Sequence, residues 1–207
     1  MNTTPTPSAI ITPPTYPARP VNGGPLDKAL PKSGEWYYEP KYNGWRALVH
    51  VPTGAMFNRK GERLSIAKEF AGALEELQEV NHQVCRIEWL DCEALERRHG
   101  IGRGALIVLD LPEEATKPFH IRRELLADLF SVHSVWNKPL AGGVYLSSFD
   151  GKTSPFGLWQ SLQEINRSWQ CEFYEGLVAK RADSLYPFQL RSPDVEFPFW
   201  MKHRWAF

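Results

Sequence analysis

Two hydrophobic periodicities run along the chain. Short runs rich in β-branched and aromatic residues predict strands over 36–39, 45–51, 84–89, 105–111, 144–149 and 176–180, many ending at Gly, Pro or Asp. Three segments show helical spacing instead: Ile66, Phe70, Leu74 and Leu77; Ile121, Leu125, Leu126 and Leu129; and Phe156, Trp159, Leu162, Ile165 and Trp169. Each would lay one apolar face on a sheet, with Ser65 as N-cap of the first and Pro155 opening the third. Strands and helices do not alternate regularly, which argues an α+β fold with mainly antiparallel sheets. No internal repeat or heptad array is present. Residues 1–34 carry prolines at 5, 7, 13, 14, 17, 20, 25 and 31 together with Gly23 and Gly24. That spacing is expected to exclude a helix or a paired strand, leaving an extended arm, partly disordered, ahead of one domain over 35–207.

Composition narrows the class. At 207 residues and 43% hydrophobic, the chain has room for one domain with an appendage. No run approaches the ~18 apolar residues of a membrane span, and the opening MNTTPTPSAI lacks the features of a signal peptide. Cys85, Cys92 and Cys171 form neither a C-x-x-C pair nor a zinc spacing, so a reducing, cytoplasmic setting is expected. Lys plus Arg equals Asp plus Glu at 24 each, which excludes a uniformly basic nucleic-acid binder but not a basic groove on a neutral body.

The glycine-rich run from His99 to Gly104 follows charged residues and precedes a predicted strand, so it reads as a hairpin turn and not as a dinucleotide loop. The six histidines are scattered without metal or triad company. More informative is Glu39-Pro40-Lys41-Tyr42-Asn43-Gly44-Trp45-Arg46, where a lysine precedes an Asn-Gly turn between two strands. The pair is expected to supply positive φ values for a hairpin and to hold the amine at a sheet rim. Further charged clusters recur at strand ends: Arg59 in Asn58-Arg59-Lys60-Gly61; Glu93 in Asp91-Cys92-Glu93; Glu175 and Lys180 in Glu175-Gly176-Leu177-Val178-Ala179-Lys180; and Trp200-Met201-Lys202-His203-Arg204.

In this order the clusters resemble the covalent nucleotidyltransferase superfamily, most closely the adenylation domain of ATP-dependent DNA ligases of the bacterial end-joining and archaeal kind. Those carry E-x-K-x-D-G-x-R, an Arg-Asn-Gly-like turn, D-G-E-L, F-D-x-L, E-G-x-V-x-K and W-x-K-x-K, and the resemblance spans roughly residues 36 to 204. It implies two mainly antiparallel sheets flanked by helices with a nucleotide pocket between them. It also implies that Lys41 attacks the α-phosphorus of ATP, that pyrophosphate leaves, and that the lysyl-adenylate passes AMP to a DNA 5′-phosphate so that nicks are sealed. By the same resemblance Glu39 lies beside adenine, Arg46 and Arg59 contact sugar and phosphate, and Glu93 serves the ribose. Glu93 and Glu175 would be ligands of Mg²⁺ or Mn²⁺, and Lys180, Lys202 and Arg204 would face the phosphates. A lysine ammonium with an ordinary pKa of about 10.4 is a poor nucleophile at neutral pH, and like-charged neighbours favour its free amine. Lys180, Lys202 and the metal are the expected neighbours of Lys41.

Several positions depart from the family pattern. Asn43 stands for Asp, Cys92 for Gly, Arg204 for Lys, and Leu109 for the Phe that would stack on adenine. Arg191 matches a family arginine only with longer spacing to the final Trp. The chain ends soon after Arg204, where family ligases continue into an OB-fold domain. The expectation is a monomer without that domain, acting on nicked duplex DNA, with a separate OB-fold or DNA-end-binding protein as partner and no membrane association. An RNA ligase or guanylyltransferase of the same superfamily, or a non-catalytic nick-binding scaffold, are the alternatives.

Overall fold

The computed structural model describes residues 11–15, 19–24, 26, 30–31, 33–83, 86–95, 101–132, 142–148, 154–187, 192 and 194–205. Among them the strands are β1 (Arg19–Asn22), β2 (Trp36–Tyr42), β3 (Trp45–His50), β4 (Ala55–Phe57), β5 (Trp89–Ala94), β6 (Ala105–Asp110), β7 (Gly143–Leu146), β8 (Tyr174–Arg181) and β9 (Glu196–Arg204). The helices are α1 (Ala71–Gln83), α2 (Phe119–Ala127) and α3 (Pro155–Trp169). One sheet has the order β1-β9-β8-β2 and the other β4-β3-β5-β6-β7. The pairs β1/β9 and β6/β7 are parallel and the others antiparallel, as the α+β reading expects.

Alternation along the strands explains the layering. On β6, Leu106 and Val108 enter a core shared with Phe70, Leu74, Leu77 and Leu126, while Ala105 and Ile107 face the other way, toward Leu177, Tyr174, Leu158 and Leu162. The five-stranded sheet is therefore covered by α1 and α2 on one side and shares the other side with the four-stranded sheet and α3. α3 begins as its sequence predicts, with Pro155 in the first turn and the Ser154 hydroxyl accepting from the Gly157 amide at 3.1 Å.

Four expectations need correction. The predicted strand over 84–89 lies too early: β5 begins at Trp89 and runs through Asp91 and Glu93, acidic residues that mask its strand character. Its Leu90, Cys92 and Ala94 pack toward the helices, and buried Asp91 is held by Arg46. Ser65 does not cap a helix, because a 3-10 turn over Ser65–Phe70 precedes α1 and its cap position is Leu64. The arm does form a paired strand, since β1 lies parallel to β9 with a bulge after Pro20. β9 carries Pro198, a residue usually confined to edges and bulges, and Pro198 lies beyond the stretch paired to β8 and within the bulged stretch opposite β1.

The fourth correction decides where Lys41 points. β2 and β3 do not form a hairpin: β2 pairs with β8, whereas β3 pairs with β4 and β5 in the other sheet. Asn43 and Gly44 are the crossing between sheets and do not take positive φ values. Asn43 ties the crossing down, its amide nitrogens donating to Phe173 O and Glu172 O at 2.9 Å each. Glycine is needed at 44 for another reason: a Cβ there would sit 2.7 Å from Ala94 O. The Arg191 position lies outside the described residues.

Candidate active site

The crossing at Asn43-Gly44 opens the two sheets around a cleft of about 500 Å³. Its first wall is one face of the four-stranded sheet, built by alternate residues: Glu39 and Lys41 on β2, Val178 and Lys180 on β8, and Trp200, Lys202 and Arg204 on β9. The second wall comes from the five-stranded sheet, with Arg46 on β3, Glu93 on β5 and Leu109 on β6. Arg59 reaches in from the turn after β4, whose shape is held by Asn58: its side-chain oxygen accepts from the Lys60 amide at 2.8 Å and the Glu62 amide at 3.0 Å. Each described residue singled out in the sequence for nucleotide or metal contact thus lines a single cleft, though they are spread from 39 to 204.

Register brings the mouth of the cleft together. Lys41 and Arg204 both pair with Gly176, one from each side. A side chain at 176 would meet His203 O at 1.9 Å, so glycine is what allows β8 and β9 to lie this close. The preceding Glu175 is consequently shared, its Oε2 lying 2.6 Å from Lys41 Nζ and 3.1 Å from an Arg204 terminal nitrogen. Lys202, two residues before Arg204 on the same face, has its ammonium pulled below the ordinary lysine range, by burial first and then by Arg204, Arg19 and Lys41 against the opposing charge of Glu196.

The inner end is built differently. Lys180 is buried, 2.8 Å from Glu39 Oε2 and donating to Leu109 O at 2.8 Å, with its ammonium 4.5 Å from the Trp200 ring centre and 4.7 Å from that of Phe119. Lys180 is therefore fixed by Glu39 and does not serve Lys41 as the free like-charged neighbour expected from the sequence. Glu39 Oε1 remains buried with no hydrogen-bond partner in the protein. Arg46 is clamped on Asp91, which also accepts the Tyr186 hydroxyl at 2.8 Å. Burial alone would lower the Arg46 guanidinium, but Asp91 raises it above its ordinary value. The phenol of Tyr186 is pushed up by burial and by Asp91, so it stays a donor.

Glu93 accepts from the Gly44 amide at 3.1 Å. Burial pushes its carboxyl up, Glu175 adds to that, and Lys41 and Arg46 oppose it. Among the described residues no group of three or more His, Cys, Asp or Glu could by itself hold a metal ion. Glu93 and Glu175 nonetheless offer hard oxygens in the same cleft, and Mg²⁺ commonly takes one or two carboxylates with the remaining positions filled by substrate phosphates and water. The donor set fits a metal that arrives with a polyphosphate.

Sequence reasoning missed Asp91, Trp200 as the floor beneath two cations, and Arg19, which β1 brings to the same cleft. Asp91 could have been found as a charge inside a strand pattern; Arg19 gave no signal inside a proline-rich arm. Cys92, one of the departures, points into the helix-side core with its thiol held protonated by burial, so it does not touch the cleft.

No family model matches the sequence, and no curated protein is similar to it in sequence. Solved structures are similar in fold. A Lig E DNA ligase superposes with a TM-score of 0.55 at 13% identity, over 94% of this chain and 70% of that one. The fold is that of a ligase-type nucleotidyltransferase domain. Chlorella virus DNA ligase-adenylate matches at TM-score 0.56 and 14% identity, over 92% of this chain and 69% of that chain. A mycobacterial DNA ligase D complexed with ATP and MES matches at 0.54 and 20%, over 92% and 60% respectively. This nucleotidyltransferase fold carries no helix, among the described residues, long and apolar enough to cross a membrane.

Proposed function

We propose that this domain is the catalytic domain of an ATP-dependent polynucleotide ligase, DNA being the substrate, with Lys41 as the nucleophile. The carrying observation is the shared contact at the mouth of the cleft: an amine from β2 lies 2.6 Å from a carboxylate on β8, ringed by Lys202 and Arg204 from β9. A cluster of this kind suits phosphoryl transfer, which depends on positioning and on neutralising the charge of the transferred group.

In the first step the Lys41 Nζ–Pα bond forms and the Pα–O bond to pyrophosphate breaks, the electron pair leaving with pyrophosphate. The ammonium first gives one proton to Glu175, the nearest acceptor, to free the lone pair on Nζ, and a second proton leaves Nζ as the N–P bond forms; both pass on to water. Lys202 and Arg204 balance charge on the phosphates as it moves toward the leaving group. At the inner end Glu39 Oε1, a buried acceptor without a donor, suits the exocyclic amine of adenine, since leaving such an oxygen unmet costs roughly 1–3 kcal/mol. Leu109 lines the cleft where a stacking aromatic would otherwise be. Glu93 and Glu175 would hold Mg²⁺ that arrives with ATP, and that ion would supply further neutralisation of the triphosphate. In the second step the adenylate passes to a 5′-phosphate, and in the third a 3′-hydroxyl displaces AMP.

Incubation with α-labelled ATP or GTP tests the reading. Label retained from ATP and discharged on nicked duplex DNA supports it. Label retained from GTP alone overturns the donor assignment in favour of a guanylyltransferase. Discharge on nicked RNA but not DNA overturns the acceptor, and no label from either nucleotide favours a binding scaffold.

A further inference from the structure

Arg19 is a cleft cation that lies outside the motif pattern. It enters on β1, pinned beside β9 by pairing opposite Glu196, by Asn22 opposite Lys202, and by the Gly23 amide donating to Lys202 O at 2.9 Å. With Lys202 and Arg204 it lines both the cleft and a neighbouring open groove, so these three cations stand where one opens into the other.

Its own partners hold it loosely. The guanidinium lies 3.6 Å from an Asp194 carboxylate oxygen, 3.9 Å from Glu196 and 3.5 Å from Asp194 O, all long for charge-assisted contacts. Its Nε is buried without a hydrogen-bond partner. Positive charge is crowded here: Arg204, Arg19 and Lys41 all press on Lys202, opposed by Glu196, while Glu175 is engaged by Lys41 and Arg204. An unmet donor among crowded cations calls for an anion with several charges.

We propose that Arg19 completes, with Lys202 and Arg204, a subsite for the β- and γ-phosphates of the nucleoside triphosphate and for the pyrophosphate released from it. The inference rests on the nucleotidyltransferase reading and adds the arm to its machinery. In-line attack by Lys41 requires the leaving group on the far side of the α-phosphorus. With the nucleoside toward Glu39 and Leu109, the terminal phosphates extend toward the β1–β9 edge. Arg19 would bind pyrophosphate through its fork of donors and stabilise it as the Pα–O bond breaks. It would have no part in the later transfer of AMP, when pyrophosphate has gone.

Two measurements test this on the full chain with Arg19→Ala and Arg19→Lys. The first is calorimetric binding of inorganic pyrophosphate to the unmodified protein. The proposal expects binding weakened about tenfold or more in Arg19→Ala, the scale of one hydrogen bond to a charged group, with partial recovery in Arg19→Lys. The second compares single-turnover steps. Adenylate formation and its reversal by pyrophosphate should both slow about tenfold, while AMP transfer from isolated lysyl-adenylate to nicked DNA changes less than about twofold.

Unchanged pyrophosphate binding overturns the proposal. So does an equal loss in all steps with a lowered melting temperature, which would make Arg19 a clip between β1 and Asp194. Loss confined to AMP transfer would assign the arginine to the acceptor's phosphate instead. Should the wild-type protein bind pyrophosphate through Arg19 yet form no adenylate, the subsite stands and the ligase reading falls.

Discussion

The two ends of the cleft use the same residue types for different ends. At the inner end every cation has a dedicated partner: Lys180 has Glu39 and the Leu109 carbonyl, and Arg46 has Asp91, itself bonded to Tyr186, with Trp200 beneath both cations. At the mouth, Lys41 and Arg204 share one carboxylate, Lys202 is titrated downward by its neighbours, and Arg19 has only long contacts. Satisfied, desolvated pairs hold a shape, and removing one member strands the other. Under-compensated charge near solvent costs some stability but is ready to accept an anion. The contrast separates groups that frame the cleft from groups poised to react.

The sharpest way to break the comparison is Lys41→Ala. Adenylate formation should vanish, while thermal stability stays near wild type because Glu175 keeps Arg204. A large fall in melting temperature would move Lys41 to the structural class. Next comes Asp91→Ala, which removes a buried carboxylate and strands half-buried Arg46 and the Tyr186 hydroxyl. Unfolding free energy from denaturant titration should drop by about 3–5 kcal/mol, and a change below about 1 kcal/mol would deny the inner end its framing role. Glu175→Gln keeps the shape but removes the proton acceptor, so the rate of adenylation should fall on the order of a hundredfold with stability little changed. Retention of the wild-type rate would remove Glu175 from proton transfer.

The smallest effect is in pH. The Lys202 pKa in the folded protein lies below its ordinary value of 10.5, by burial first and then by Arg204, Arg19 and Lys41. Below that folded pKa the charged form disfavours folding, and the penalty is lost as pH rises through it, fully so above 10.5. A bound polyphosphate reverses the imbalance and raises the Lys202 pKa. Nucleotide binding should therefore take up a fraction of a proton in the alkaline range below 10.5, seen by calorimetry in buffers of different ionisation heat. Proton release there would contradict the crowding of cations at the mouth.

Much of the fold was legible because burial follows pattern. The short β-branched and aromatic runs at β2, β3, β6 and β8 and the helical stripes at α2 and α3 appear close to where the sequence places them. Elements whose stability comes from partners were not legible. β1 exists because β9 offers it an edge, β9 carries Pro198 because a bulge tolerates it, and β5 hides behind Asp91, whose charge is neutralised by a residue 45 positions away. For the site, each predicted residue among those described reached the cleft, but the partnerships were invisible. Nothing in Lys180 says that Glu39 holds it, and nothing in Asn43-Gly44 distinguishes a hairpin from a change of sheet. The latter turns on the close approach of Gly44 to Ala94 O, a tertiary fact.

The central claim is that the β2 amine is the one that becomes covalently adenylated. Incubation of the protein with ATP and Mg²⁺, followed by proteolysis and mass mapping of the modified peptide, tests it directly. The account predicts one AMP, on the peptide carrying Lys41. An adduct on Lys180 or Lys202, or no adduct at all, would contradict it.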